Sequence, residues 1–149
     1  MPVANVKSSW TSGKLVFQDK STGTTLLTLD GPNTTVSLGA TATLQSPFSV
    51  ASASGAVSVK SGTLYVTKAG VAALTIADPT ATTDDGKTLT VISTTAQAHT
   101  LDNSAGSGFN AGGAGSDIGT FGGAAGDNIV ITAYQGKWYV VSKVNVTLG

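Results

Sequence analysis

Asp127-Asn128-Ile129-Val130-Ile131-Thr132-Ala133-Tyr134 and Lys137-Trp138-Tyr139-Val140-Val141, joined by Gln135-Gly136, decide the fold. Residues alternate with period two in both runs, the spacing of strands with one covered face, and a two-residue link ending in glycine suits a hairpin. Ile129, Ile131 and Ala133 define one face of the first strand, and Trp138 with Val140 one face of the second. Val130, Tyr134, Tyr139 and Val141 leave the other face partly apolar, so both surfaces are expected to be covered.

The same period extends outward from this hairpin. Thr88 to Ser93 places Leu89 and Val91 on one face after the turn Asp84-Asp85-Gly86-Lys87. Leu74 and Ile76 run into Asp78-Pro79, a stop because proline cannot donate to a ladder. Ala98 to Leu101 reads as a weaker strand, and Val144, Val146 and Leu148 as a single last one. Ser104 to Gly126 is dense in glycine, alanine and serine, but Phe109, Ile118 and Phe121 supply spaced anchors, so a packed loop is expected. These features define a C-terminal β-domain over residues 71–149. Phe109, Phe121, Tyr134, Trp138 and Tyr139 are its candidate core or interface residues.

Residues 14–70 form a β-rich segment of thinner strands. Leu15 alternates with Val16, Leu27 with Thr28, and Val36 with Ser37, while Thr41 to Leu44 and Phe48 to Val50 are shorter pieces. Lys60-Ser61-Gly62-Thr63 reads as a tight hairpin between Val57/Val59 and Leu64/Val66. Each strand offers about two large apolar side chains on one face, which needs a cover. That cover is either the C-terminal domain or strands of other chains in an intertwined trimer. Residues 1–13 read as an extended arm, and Trp10 in it is too large and apolar to leave free without a reason.

Composition narrows function. The eight basic residues are all Lys and the eight acids all Asp, so the surface helices that Glu and Arg usually build are not expected. Zero formal net charge without a lysine cluster removes the footprint of nucleic-acid binding. Met1 to Trp10 holds no continuous apolar run, so no membrane anchor or secretory signal is expected there. With no cysteine, stability comes from packing, sheet bonding or assembly.

Chemistry is poorly served. Asp78, Asp84, Asp85, Asp102, Asp117 and Asp127 mostly sit at strand ends or beside glycine, where Asp satisfies turn backbone rather than pairing for acid–base work. His99 is the single histidine and has no nucleophile motif beside it; only symmetry among three chains would gather a metal site from it. No phosphate-binding glycine motif occurs. No catalytic residue, cofactor or metal site is expected, and the chain reads as a non-enzyme.

The C-terminal half resembles a recurrent β-domain of tailed-bacteriophage virion proteins. The resemblance runs through Leu74-Thr75-Ile76-Ala77-Asp78, Asp85-Gly86-Lys87-Thr88-Leu89-Thr90-Val91, Ala98-His99-Thr100, Gly108-Phe109-Asn110 and Gly126-Asp127-Asn128-Ile129-Val130-Ile131, ending in Gly136-Lys137-Trp138-Tyr139-Val140-Val141. It implies a structural protein that decorates capsids, forms head fibres or joins tail appendages, on the outer capsid surface of a virion assembled in the host cytoplasm. The expected partner is the major capsid protein, bound by a homotrimer through multivalent contacts, with Trp10, Leu15, Phe17 and Phe48 as candidate capsid or subunit contacts. The alternative is a fibre module that binds a receptor or host-surface glycan, with Tyr134, Trp138 and Tyr139 as aromatic platforms. The fold expected is all-β: short antiparallel strands in a sandwich or barrel-like C-terminal domain, and an N-terminal segment intertwined in a trimer.

Overall fold

The computed structural model describes residues 6–31, 35–39, 47–110, 112 and 116–149, so the strand expected over Thr41 to Leu44 lies outside the described residues. The chain divides into two units, Met1–Gln45 and Ser46–Gly149. The boundary expected after residue 70 falls inside the second of them. Among the described residues every element in both units is a strand.

In the first unit, β1 (Val6–Thr11), β2 (Lys14–Asp19), β3 (Thr25–Asp30) and β4 (Thr35–Leu38) form an antiparallel sheet in chain order. The expected arm is therefore partly strand. Ser12 and Gly13 close β1 onto β2 with φ of 51° and 78°, the left-handed pair that a two-residue hairpin turn requires. Between β2 and β3 the Asp19 carboxylate accepts the Ser21 and Thr22 N–H groups, both at 2.8 Å. The Ser21 hydroxyl foremost, and then these N–H bonds, favour its charged form and pull its pKa down to about 2. Lys14 and Asp30 face each other across β2 and β3, with Nζ 2.8 Å from the carboxylate.

The second unit holds two five-stranded sheets. One has the order β13 (Lys137–Val144), β12 (Asn128–Tyr134), β9 (Thr88–Ser93), β7 (Gly62–Val66), β5 (Phe48–Ala51). The other has the order β14 (Val146–Leu148), β11 (Ile118–Phe121), β10 (Thr100–Asp102), β8 (Ala73–Thr75), β6 (Gly55–Ala56). From β5 to β10 the chain alternates between the sheets, so each strand lies parallel to the one two places earlier. Parallel neighbours need a crossover, and here a strand of the opposite sheet supplies it where a helix commonly does. From β11 onward the added pairs are antiparallel.

Two expectations are corrected by this topology. The C-terminal unit is not purely antiparallel, and its two open sheets do not close into a barrel among the described residues. Lys60 to Thr63 is not a hairpin either: β7 pairs in parallel with β5 and β9, while Val57 and Val59 pack against the core from outside any strand. Gly62, at φ +89°, lets β7 approach so closely that the Thr63 N–H donates to the Pro47 carbonyl at 3.0 Å; a Cβ there would overlap that oxygen.

Both sheets turn their apolar faces onto one core. Leu64, Val91 and Ile129 stand side by side across β7, β9 and β12, and Leu89 lies beside Ile131. Leu74, Leu101, Phe121 and Val146 answer from the other sheet. The hairpin that opened the sequence reading is present as expected, with Tyr134 opposite Lys137 and Gln135 and Gly136 at φ of 48° and 75°. The last strand is split: Asn145, at φ 51°, breaks it, so β13 stays in one sheet and β14 enters the other. Each fully buried Leu, Ile, Val or Phe contributes about 1.5–3 kcal/mol, so this unit carries its own stabilising interior.

Candidate functional site

The charged and polar groups that invite a catalytic reading are occupied by structure. Asp84 is buried, and its carboxylate accepts from Lys60 Nζ at 2.8 Å, Lys87 Nζ at 2.7 Å and the Thr80 N–H at 2.7 Å. Those donors, the Lys60 bond foremost, hold its pKa far below the usual carboxylate range. Asp127 accepts from the Ala124 N–H and the Asn145 amide, which anchors the turn before β12 and lowers its pKa. Asp78 and Asp102 line a cleft of about 350 Å³. Asp78 accepts from the Ser107 N–H and hydroxyl, and Asp102 from the Ser104 N–H. The Ser104 bonds lower the Asp102 pKa, the opposite of what a general acid requires. Asp85 accepts from the Gln135 backbone and side chain at the hairpin bend.

His99 is fully buried and works as a clamp between rungs. Its Nδ1 accepts the Ala72 N–H at 2.9 Å, and its Nε2 lies 3.0 Å from Thr95 Oγ1. The Thr95 hydroxyl donates its one hydrogen to the Lys68 carbonyl, so it accepts from His99, which fixes the neutral tautomer with the proton on Nε2. Burial first and the Lys68 charge second push the His99 pKa below 6.5. Unfolded chains bind that proton as pH falls through 6.5 while folded chains resist it. Stability is therefore complete above about pH 6.5 and falls, as pH drops towards the folded pKa, by up to about 1.4 kcal/mol per pH unit. Urea midpoints measured from pH 8 to 5 should decline over that window, and a His99→Gln variant should lose this part of the slope.

The aromatic candidates separate by environment. Phe109, Phe121 and Trp138 are fully buried, and the Trp138 indole N–H donates to the Ala77 carbonyl at 2.9 Å. Trp138 is thereby corrected: it is no platform for a sugar. Tyr139 is half-buried and Tyr134 exposed at the hairpin end. Phe48, grouped at the sequence level with Trp10, lies in the other unit, on the outer face of its sheet, edge-on to Tyr65 with ring centres 6.3 Å apart.

What the structure does bring together is one face of the N-terminal sheet. The register puts Trp10 beside Leu15, Leu15 beside Leu29, and Leu29 beside Val36; Ser8, Phe17 and Leu27 form the next row. With Val6, these residues make a face that is apolar but for Ser8 and, at its turn end beside Val6, Asp19. Lys7, Ser9, Thr11, Lys14, Gln18, Thr28, Asp30, Thr35 and Ser37 line the opposite face, with Val16 as its apolar member. The apolar face is uncovered: Trp10 is 74% exposed and Val36 69%, and among the described residues of this unit no apolar side chain is buried. Leu27, Leu29 and Val36 belong to this face, although sequence reasoning selected only Trp10, Leu15 and Phe17 as contacts. Their period-two spacing was the signal that could have added them.

No family model, curated protein or solved structure matches the chain. The labels bacteriophage, virion, capsid decoration protein and head fibre, and with them the trimer, are corrected to a plainer description. The all-β fold is too general to carry them, and among the described residues no feature is particular to a capsid or to a three-chain assembly. Among the described residues no cluster of His and Asp is placed to hold a metal, and both His99 ring nitrogens are already bonded, so the symmetric His99 metal site also falls.

Proposed function

We propose that the chain is a structural protein that attaches within a larger protein assembly through multivalent protein contacts, with its N-terminal sheet as the joining surface. The observation that carries this is the contrast between the units: the second buries a full core, while the first buries no apolar side chain among its described residues and leaves Val6, Trp10, Leu29 and Val36 of one face exposed. A four-stranded sheet with one greasy and one polar face gains its stability only when something covers the greasy side. An exposed apolar patch of this kind marks a protein interface. The carboxylates tied into turns leave attachment, rather than turnover, as the use of the fold.

The experiment is gradient sedimentation of large complexes from cells that make the chain, comparing the full chain with a Trp10→Ser/Val36→Ser variant. The full chain is expected to travel with a fast-sedimenting particle and the variant to remain near the top. A full chain at the top, or a variant that sediments unchanged, contradicts the proposal.

A second reading has one observation in its favour. The outer face of the β13–β5 sheet carries Phe48 and Tyr65 as an exposed edge-on pair beside Thr63 and Thr90, groups that can stack on and hydrogen-bond a neutral sugar. Glycan-array binding that disappears in Phe48→Ala would favour it.

A further inference from the structure

We infer that the occupant of the bare N-terminal face is the same face of a second copy of the chain, packed sheet on sheet. The inference rests on the reading of that face as a protein interface and names the partner.

Character comes first. Interfaces between freely exchanging partners are about as apolar as the rest of a protein surface, whereas permanent homomeric ones are enriched in apolar groups and resemble a core cut in half. Seven of the nine described face residues, Val6, Trp10, Leu15, Phe17, Leu27, Leu29 and Val36, are large and apolar, and the other two are Ser8 and Asp19. The one charged group, Asp19, lies at the turn end of the face with its carboxylate bonded by Ser21 and Thr22, so a charged partner finds little to match across the rest. A surface whose single charge sits at its turn end, built of staggered apolar rows on a twisted sheet, is complementary to itself, and two such sheets stack with strands aligned within about 30° and a layer about 10 Å thick.

Area comes second. Three strands of six residues and one of four, about 4.8 Å apart and about 3.4 Å per residue, span roughly 360 Å² in projection. The corrugated accessible surface is larger, and Trp10 at 74% exposure adds on the order of 180 Å² by itself. Two faces together therefore bury roughly 1,000 Å² or more, the threshold for a specific interface. The contact needs no further segment to reach it. Joining two copies this way leaves each pair with two C-terminal units, which is the multivalency that the proposed function requires.

Native mass spectrometry of the purified full chain at micromolar concentration tests this. Wild type is expected at the mass of two chains. Trp10→Ser/Val36→Ser is expected at one, with dissociation strengthened about 100-fold or more, as for loss of a tryptophan anchor. Thr28→Ala, on the polar face, is expected to stay at two. Hydrogen exchange on β2 and β3 checks that the N-terminal sheet of each variant is folded, and Val36→Thr provides a milder change should the double variant unfold. A one-chain or three-chain mass for wild type, or a folded double variant that keeps the two-chain mass, overturns the inference. A one-chain wild type that still sediments with a large particle would sink only the choice of partner and leave the proposed function standing.

Discussion

Replacing Trp138 with alanine is expected to lower the stability of the C-terminal unit by about 3–5 kcal/mol, the cost of removing a large buried aromatic. Trp138 is wholly enclosed, lies beside Ala133 in the hairpin register, and donates its indole N–H to the Ala77 carbonyl, a group left without that partner in the variant. Trp10→Ala is expected to change the stability of the same unit by no more than about 0.5 kcal/mol, because it truncates an exposed side chain in a different unit. Urea unfolding of the C-terminal sheets, followed by hydrogen exchange at β9 and β12, measures both. Equal losses in the two variants would contradict the separation of a self-sufficient unit from a surface that needs a partner.

Much of this separation was legible in the sequence. Period-two alternation located β9, β12 and β13 with the correct faces inward, and Gln135-Gly136 marked the tightest bend, because hairpin partners and their turn are neighbours in the chain. The thinness of the strands around Leu15, Phe17, Leu27 and Leu29 also announced a face in need of cover.

Parallel pairing was not legible. Partners such as β7 and β9 are separated by an excursion through the other sheet, so no local turn records their register. That is why Leu64 and Val66 were joined to Val57 and Val59, and why Phe48 was placed with Trp10. The break at Asn145 left no pattern either, since alternation continues through Val144, Val146 and Leu148 while the backbone changes sheets. For the surface, alternation distinguished the two faces of a strand but not whether the apolar one would find its cover within the chain. Among the described residues of its own unit nothing buries it: Trp10 is 74% exposed while Trp138, similar in its sequence setting, is fully enclosed in its unit.

The second large effect follows from that contrast between the two tryptophans. Covering a side chain that is 74% exposed in the single chain removes nearly all of its contact with water. Trp138 is a built-in reference for complete protection, and it lies in the unit that needs no partner. Hydroxyl-radical footprinting read by mass spectrometry, applied to the full chain in the assembled state in which it is isolated, compares the two residues directly. The expected result is oxidation of Trp10 as slow as that of Trp138, with Trp10 becoming fast in the dispersed Val36→Ser variant. Oxidation of Trp10 at the rate of free tryptophan amide in the assembled protein would contradict the claim that its face is a protein interface.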